Sequence, residues 1–155
     1  MADTVSAKIV KFIQDLKWEN IPPHVQDRAR DRFLDTVSTG VAGREIDVSL
    51  VARRSVAGNG TGPCTSWVDN VMRNAGDAAL VNGVSSHSIL YEDVSPTFSD
   101  HPGPMMVPVT LAVAEEMTAA GKKPTIRDVL TGIVIGYEIQ AALGNAMARN
   151  VVDRA

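Results

Sequence analysis

The sequence predicts an all-α fold, a single domain over residues 1–155 built as a bundle of about six helices. Apolar residues recur every three or four positions through most of the chain, which is the spacing of one buried helix face. Glycines and prolines divide this pattern into pieces of helical length, and the strict alternation of half-buried strands is lacking. These observations favour helices packed on helices.

The first two helices are predicted from their caps and their apolar faces. Asp3 or Thr4 can cap a first helix, whose apolar face consists of Val5, Ile9, Phe12, Ile13 and Leu16. The Pro22–Pro23 pair ends that pattern and suits the first turn of a second helix. The second helix has a charged, solvated side and stops at Gly43, and its apolar stripe consists of Val25, Ala29, Phe33, Val37 and Val41.

The middle of the chain is predicted to contain two further helices with a break between them. A short third helix covers Val48–Ala57, and the run GNGTGP after it is a flexible turn. Cys64–Val68 is expected to form a short extended piece. Because Cys64 is the only cysteine, it has no intrachain disulfide partner, and we expect an inert thiol. A fourth helix, rich in small residues, begins near Asp77 and continues to Leu90.

The last two helices are marked by signals at their ends. The fifth, MMVPVTLAVAEEMTAAG, ends at Gly121, and Pro108 inside it indicates a kink or a late first turn. The sixth begins at Thr125, with Asp128 three positions on as a variant of the capping box. Its stretch Val129–Ile135 is apolar on all sides, but the uncharged run is too short for a transmembrane helix. We therefore expect a buried central helix or a subunit interface.

Composition and charge narrow the class of protein. Hydrophobic residues make up 45% of the chain and charged residues 21%, which is typical of a globular domain and not of a disordered one. The formal net charge of −3 argues against nucleic acid or an anionic membrane surface as the partner. The N-terminal residues lack the basic and apolar regions of a secretory signal. We expect a cytoplasmic protein, with a mitochondrial location left open.

The segment Tyr91–Pro104, YEDVSPTFSDHPGP, concentrates ionisable side chains between the fourth and fifth helices. Its prolines and its glycine predict a loop. The loop places His101 next to Asp100, and His87 lies on the helix that leads into it. An imidazole held beside a carboxylate can give and take protons near neutral pH. From the spacing alone, a polar connector is the favoured interpretation, with the histidine at position 87 used in helix packing, and a proton-transfer site is the alternative.

Other kinds of chemistry find less support in the sequence. Asp93, Asp100 and His101 could supply metal ligands, but no pair of ligands is spaced on one helix face, so no metal is predicted. Neither Cys64 nor any serine lies in a recognisable nucleophile elbow. His24 follows two prolines at a helix start and is expected to be exposed.

The stretch DAALVNGVSSHSILYEDVSPTFSDHPGPMMVPVTLAVAEEM resembles the Asn-Gly, His, acidic-cluster and His-Pro segment of the MmgE/PrpD family. The resemblance extends in both directions and covers almost the whole chain. It implies a helical domain, which family members interrupt with a smaller α/β lid domain, and it implies a homodimer. It also implies dehydration, decarboxylation or epimerisation of small polycarboxylates by proton transfer, with no metal or organic cofactor.

The resemblance further implies which residues form the site. His101 matches the histidine of the His-Pro motif and Asp93 one of the acidic positions, so these two are the predicted catalytic residues. His87 matches the histidine that precedes the acidic cluster, and Asn82 matches the asparagine of the Asn-Gly pair. The predicted substrate-binding residues are Tyr91, Ser95, His87 and Asn82.

Members of the family are much longer than this chain. We expect the chain to lack the lid domain, the active-site lysines and a second histidine motif that the rest of a family member carries. Two functions are therefore expected. The chain is either an enzyme for a small carboxylate ligand that works as a homodimer or with a complementing chain, or a repurposed dimeric binding or scaffold module.

Overall fold

The computed structural model places six α-helices over the residues that it describes, 4–95 and 100–152. These helices are α1 (Val5–Asp15), α2 (Pro23–Ala42), α3 (Asp47–Ser55), α4 (Ala75–His87), α5 (Gly103–Ala119) and α6 (Ile126–Val152). Two single turns of 3₁₀ helix, Trp18–Asn20 and Gly43–Glu45, and one β-hairpin complete the regular structure of these residues. The prediction of an all-α fold with about six helices is confirmed.

The helix ends predicted from the sequence form hydrogen-bonded caps. Thr4 caps α1, because its Oγ1 accepts a hydrogen bond from a backbone N–H of the first turn at 3.2 Å; Asp3 lies outside the described residues. At the start of α6, the Thr125 N–H donates to Oδ2 of Asp128 at 2.7 Å, and the Asp128 N–H donates to Oγ1 of Thr125 at 3.3 Å. Gly121, with φ +80°, follows the end of α5 in the left-handed conformation that glycine favours.

One hydrophobic core lies between α2, α5, α6 and the turn at Trp18. Its buried members are Trp18, Ile21, Ala29, Val107, Val129, Leu130, Ile133 and Val134. Half of them belong to the all-apolar stretch of α6, so the prediction that this stretch is buried is confirmed at these positions. In the part of the chain that the structure describes, no helix has both the length and the apolar character needed to cross a bilayer.

Two apolar faces differ from the prediction. No residue of α1 is buried, and Val5 is 72% exposed, so the apolar face of this helix is open to solvent. On α2, Val41 is exposed, whereas Thr36 and Thr39 are buried. Small side chains are needed there because α4 packs closely on α2, with Oγ of Ser86 donating a hydrogen bond to the Thr36 carbonyl at 2.9 Å.

A small antiparallel hairpin, β1 (Cys64–Ser66) and β2 (Val71–Arg73), packs on α4 and α5. The extended piece predicted at Cys64–Val68 corresponds to β1, whereas β2 was not predicted. The side chain of Cys64 is fully buried, and its thiol donates a hydrogen bond to the Ala112 carbonyl at 3.2 Å. Burial raises the pKa of Cys64, which agrees with the inert thiol expected from the sequence.

Candidate active site

The candidate site forms where α4 ends and α5 begins. Helix α4 stops at His87, before the predicted end at Leu90, and Leu90 has a left-handed backbone with φ +53°. A left-handed residue does not continue a right-handed helix, so the chain leaves the α4 axis here. Because α5 starts at Gly103, the last two residues of the predicted loop Tyr91–Pro104 belong to its first turn.

Helices α4 and α5 lie very close together at Gly83. A Cβ atom at this position would be 2.5 Å from the backbone oxygen of Pro104, which is shorter than any side chain accepts. The glycine of the Asn-Gly pair therefore allows the start of α5 to approach α4, one helical turn before His87. This approach brings His101, which lies two residues before the start of α5, next to His87.

A buried carboxylate joins the two imidazoles at this junction. Nδ1 of His87 forms a hydrogen bond with Oε1 of Glu92. Nδ1 of His101 lies 2.9 Å from the same oxygen, without the alignment of a hydrogen bond. The two rings meet edge to face, with centroids 4.7 Å apart and planes at 66°. The Glu92 side chain is fully buried, whereas those of His87 and His101 are 49% and 25% exposed.

This arrangement limits what each imidazole can do chemically. A ring that donates its Nδ1–H to Glu92, as His87 can, keeps its lone pair on Nε2, and Nε2 is then the atom that takes a proton from a bound molecule. A protonated ring at position 87 or 101 has Glu92 as its counter-ion. The buried carboxylate needs such partners, because an uncompensated charge away from water is costly. Among the described residues these two imidazoles contact Glu92, and its Oε2 has no hydrogen-bond partner.

An open pocket of about 510 Å³ adjoins the two imidazoles. Apart from the histidines, it is lined by residues of α4 and α5 without charged side chains: Ala79, Leu80, Gly83, Val84, Pro104, Met105 and Val109. Leu80, Met105 and Val109 are half-exposed. Among the described residues no lysine or arginine lines this pocket, so the imidazoles are the polar groups that its wall offers to a ligand.

Asp93, a predicted catalytic residue, contacts the start of α5 and the middle of α6. Its Oδ1 accepts a hydrogen bond from the Gly103 N–H at 3.0 Å, and its Oδ2 accepts one from the Tyr137 hydroxyl at 2.8 Å. Burial raises the pKa of Tyr137 and the charge of Asp93 raises it further, so the phenol remains a hydrogen-bond donor. The carboxylate that lies beside His101 is Glu92 and not Asp93, the other predicted catalytic residue. A catalytic role for Asp93 stays a prediction.

Two of the predicted substrate-binding residues lie outside the imidazole cluster. Asn82 is buried, and its amide accepts a hydrogen bond from the Trp67 N–H at 3.0 Å and donates one to the Thr65 carbonyl at 2.9 Å. These bonds attach the hairpin to α4. Tyr91 is 83% exposed. Substrate binding by either residue stays a prediction, whereas His87 does lie at the pocket wall.

Ser95 lies beside a second, smaller pocket of about 300 Å³, which Asp93, Asp100, Tyr137 and Arg32 also line. The Ser95 N–H donates a hydrogen bond to the Asp100 carbonyl at 2.8 Å. The Asp100 side chain, expected beside His101, accepts a hydrogen bond from the amide of a glutamine on α6. The two predicted catalytic residues thus lie at different pockets, His101 at the larger and Asp93 at the smaller. Residues 96–99, which include Pro96 of the predicted loop, lie outside the described residues.

Negative charge is concentrated around the buried carboxylate. Burial raises the pKa of Asp35 on α2, and the charges of Asp93 and Glu92 raise it further against the opposing effect of Arg32. Asp35 therefore lies within electrostatic range of both the Asp93 and the Glu92 carboxyl groups.

The fold and this site define a class of protein: a mostly helical domain that presents two imidazoles and a buried carboxylate to an open pocket. The chain belongs to the MmgE/PrpD family, since the family model of the MmgE/PrpD N-terminal domain matches residues 7–154. The family resemblance inferred from the sequence is confirmed.

Two curated proteins are similar to this chain over most of its length. The chain is 25% identical over 146 residues to a cis-aconitate decarboxylase-like protein of Aspergillus oryzae, and 28% identical over 145 residues to the cis-aconitate decarboxylase of Homo sapiens. Both matches cover 92% of this chain. The chain spans 30% of the length of each relative, so the activity of the longer proteins is carried over here only as a proposal.

Proposed function

We propose that the chain carries the acid–base site of a lyase or isomerase that acts on a small polycarboxylate-like substrate by histidine-mediated proton transfer. The observation that supports this most directly is the convergence of two imidazoles on one buried carboxylate at the wall of an open pocket. Membership of the MmgE/PrpD family and similarity to proteins named cis-aconitate decarboxylases support the same reaction class.

The chemistry of such a reaction fits what an imidazole can do. Dehydration and epimerisation begin when a base removes a proton from a carbon next to a carboxylate, and decarboxylation ends when an acid returns a proton to the carbon that has lost carbon dioxide. A positioned general acid or base accelerates such steps by a factor of about 10²–10⁴. His101 is the proposed proton donor or acceptor, with Glu92 holding its charge in the protonated state. His87 is the second ring at the same wall.

The pocket by itself supplies little positive charge for a polycarboxylate. No lysine or arginine among the described residues lines it, and carboxylates are bound most strongly by cationic donors. We therefore propose that a complementing polypeptide, corresponding to the remaining length of the relatives, or a second copy of this chain, completes the site. The half-exposed Leu80, Met105 and Val109 give such a partner an apolar surface to cover.

The test is an assay of purified chain with cis-aconitate, 2-methylcitrate and other small acids, alone and with the complementing polypeptide. We expect His101→Ala to lower kcat by a factor of about 10² or more while the melting temperature changes little. His24→Ala is the matched control, because His24 is exposed at the start of α2. An active wild type with an equally active His101→Ala variant would exclude the proposed role of His101.

The second candidate function is a dimeric binding or scaffold module on the same helical fold. The observation that favours it is the lack of cationic residues at the pocket among the described residues. Light scattering tests the self-association that the scaffold requires, since we expect a mass above the 16.5 kDa of one chain. A wild type that associates yet stays inactive with every acid, with and without the complementing polypeptide, would favour the scaffold.

A further inference from the structure

We propose that Tyr137 is a positioning residue for proton transfer at the imidazoles, because it holds Asp93 against the start of α5. Asp93 adjoins Glu92, whose carboxylate contacts both rings. Among the described residues, α4, α5 and the two histidines line the larger pocket, so Tyr137 on α6 acts on the site from outside that pocket. The inference rests on the proposed function, since a positioning role requires a reaction at the imidazoles.

Asp93 caps helix α5 from the loop. The first N–H groups of an α-helix have no acceptor within the helix, and Gly103 carries the first of them here. Oδ1 of Asp93 accepts a hydrogen bond from this N–H at 3.0 Å, and the helix dipole favours a negative charge at this end. Because His101 lies two residues before Gly103, the bond that caps α5 also restrains the backbone that carries the His101 ring.

Tyr137 fixes the orientation of the capping carboxylate. Its hydroxyl donates a hydrogen bond at 2.8 Å to Oδ2 of Asp93, the oxygen that does not cap α5. Burial raises the pKa of Tyr137 and the charge of Asp93 raises it further, so the phenol keeps its proton and remains a donor. The preceding residue, Gly136, lies so close to the Met106 side chain of α5 that an added Cβ would overlap it. The hydroxyl is therefore presented from a helix that is packed closely on α5.

Three elements of the fold meet at Gly103. A Cβ at this position would lie 2.5 Å from Oδ1 of Asp93, 2.5 Å from Oγ1 of Thr36 on α2 and 3.3 Å from the Tyr137 hydroxyl. Tyr137→Phe keeps the aromatic packing but leaves Oδ2 of Asp93 without this donor. The carboxylate also lines the smaller pocket of about 300 Å³, so it can then turn toward water there and release the Gly103 N–H.

The experiment follows the ring protons of the histidines by NMR, which requires no substrate. The chain has three histidines, and His24, exposed at the start of α2, is the internal reference. The rings of His87 and His101 meet edge to face with centroids 4.7 Å apart, so the ring current of each shifts the resonances of the other. We expect Tyr137→Phe to shift both sets of signals, to weaken the nuclear Overhauser effect between the rings and to leave His24 unchanged.

Gln26→Ala is the control for a general loss of stability. The Gln26 amide donates hydrogen bonds to the Trp18 and Ile21 carbonyls at 3.1 and 2.9 Å, at the opposite end of α2 from Thr36. Its removal should destabilise the fold and leave the signals of the two site histidines in place. Circular dichroism verifies that each variant is folded.

The kinetic measurement separates positioning from ligand binding. With an active wild type, we expect Tyr137→Phe to lower kcat by about 10-fold and to leave KM nearly unchanged, since a misplacement of about 1 Å can cost about 10²-fold in rate. A raised KM at unchanged kcat would instead indicate that Tyr137 contacts the ligand, and would overturn the positioning role.

Two spectroscopic results would also overturn it: ring signals that do not move in Tyr137→Phe, or equal shifts in Gln26→Ala. If Tyr137→Phe does not fold, amide exchange of the wild type decides, because a Gly103 N–H that exchanges as fast as a free one is not capped by Asp93. Unmoved ring signals would leave the proposed proton transfer standing. A wild type that is inactive with every acid would remove the proposed function, while the ring signals still decide whether Tyr137 sets the geometry of the site.

Discussion

Replacing Gly83 by alanine should push α4 and α5 apart and so separate the two imidazoles of the candidate site. The added Cβ would lie 2.5 Å from the backbone oxygen of Pro104, where an ordinary contact begins at 3.4 Å. A backbone oxygen in the first turn of α5 has no side-chain rotation by which it could move away. The helices themselves must therefore shift.

The expected size of the effect follows from two opposing contributions. Overpacking a close contact costs about 1–3 kcal/mol, and the fixed backbone neighbour places Gly83→Ala toward the upper end. Alanine is the better helix former by about 1 kcal/mol, which offsets part of the cost. We expect a net loss of about 1–2 kcal/mol in the free energy of unfolding, which lowers Tm by about 2–8 °C for a chain of this size.

The measurement is urea and thermal unfolding followed by circular dichroism, with Gly76→Ala as the matched control. Gly76 lies in the first turn of the same helix, and its added Cβ would be 3.5 Å from the side-chain oxygen of Asn74, an ordinary contact. Gly76→Ala should therefore be neutral or stabilising. Equal stability of the two variants would refute the argument that Gly83 sets the distance between α4 and α5.

Three further substitutions test other parts of the fold. Asn82→Ala leaves the part-buried N–H of Trp67 and the part-buried carbonyl of Thr65 without this partner and should cost about 2–4 kcal/mol in urea unfolding. A loss no larger than that of an ordinary surface change would contradict this. Tyr137→Phe removes a hydrogen bond to Asp93 and should cost about 1.5–3 kcal/mol, measured in the same way. Burial alone would raise the pKa of Asp69, but hydrogen bonds, chiefly from Arg73, hold it below its usual 3.8. Because the folded pKa is the lower one, this stabilisation is present above pH 3.8 and is lost as the pH falls through the folded pKa. Urea midpoints of the wild type should therefore fall more steeply with acid than those of Asp69→Asn, and parallel curves would refute the prediction.

Local signals in the sequence predicted the helices well, because helix ends depend on short-range hydrogen bonds. Thr125 and Asp128 are three residues apart and bond to each other whatever the rest of the fold does. The strand Val71–Arg73 was missed because three residues are too few for a pattern and its stability comes from pairing with β1. The exposed face of α1 could not be predicted either, because an amphipathic helix shows which face is apolar and not whether another element covers it.

The candidate site was predicted in its location and only partly in its contacts. Histidines 87 and 101 were both selected and lie together, but the carboxylate that contacts both rings is Glu92 and not Asp93, the predicted catalytic carboxylate. Adjacent acidic residues outside a helix cannot be distinguished by spacing, since the backbone torsions of the loop decide which one turns inward. Leu90, with its left-handed φ of +53°, lies just before them. Leucine rarely adopts this conformation, so the residue type does not predict it. Tyr137, which contacts Asp93 from 44 residues away, is a long-range neighbour that periodicity does not identify.

The two adjacent carboxylates connect the stability of the fold to the geometry of the site. Asp93 is bonded to the start of α5 and to α6, so the backbone of the loop is fixed at that residue. Because Glu92 is the neighbouring residue, fixing Asp93 also fixes the point from which the Glu92 side chain reaches both imidazoles. Gly103 belongs to the same arrangement, since a Cβ there would lie 2.5 Å from Oδ1 of Asp93. The loop is thus held by Asp93, while Glu92 remains in contact with both imidazoles, so a substitution that releases Asp93 should disturb the geometry of the site as well as the stability of the fold.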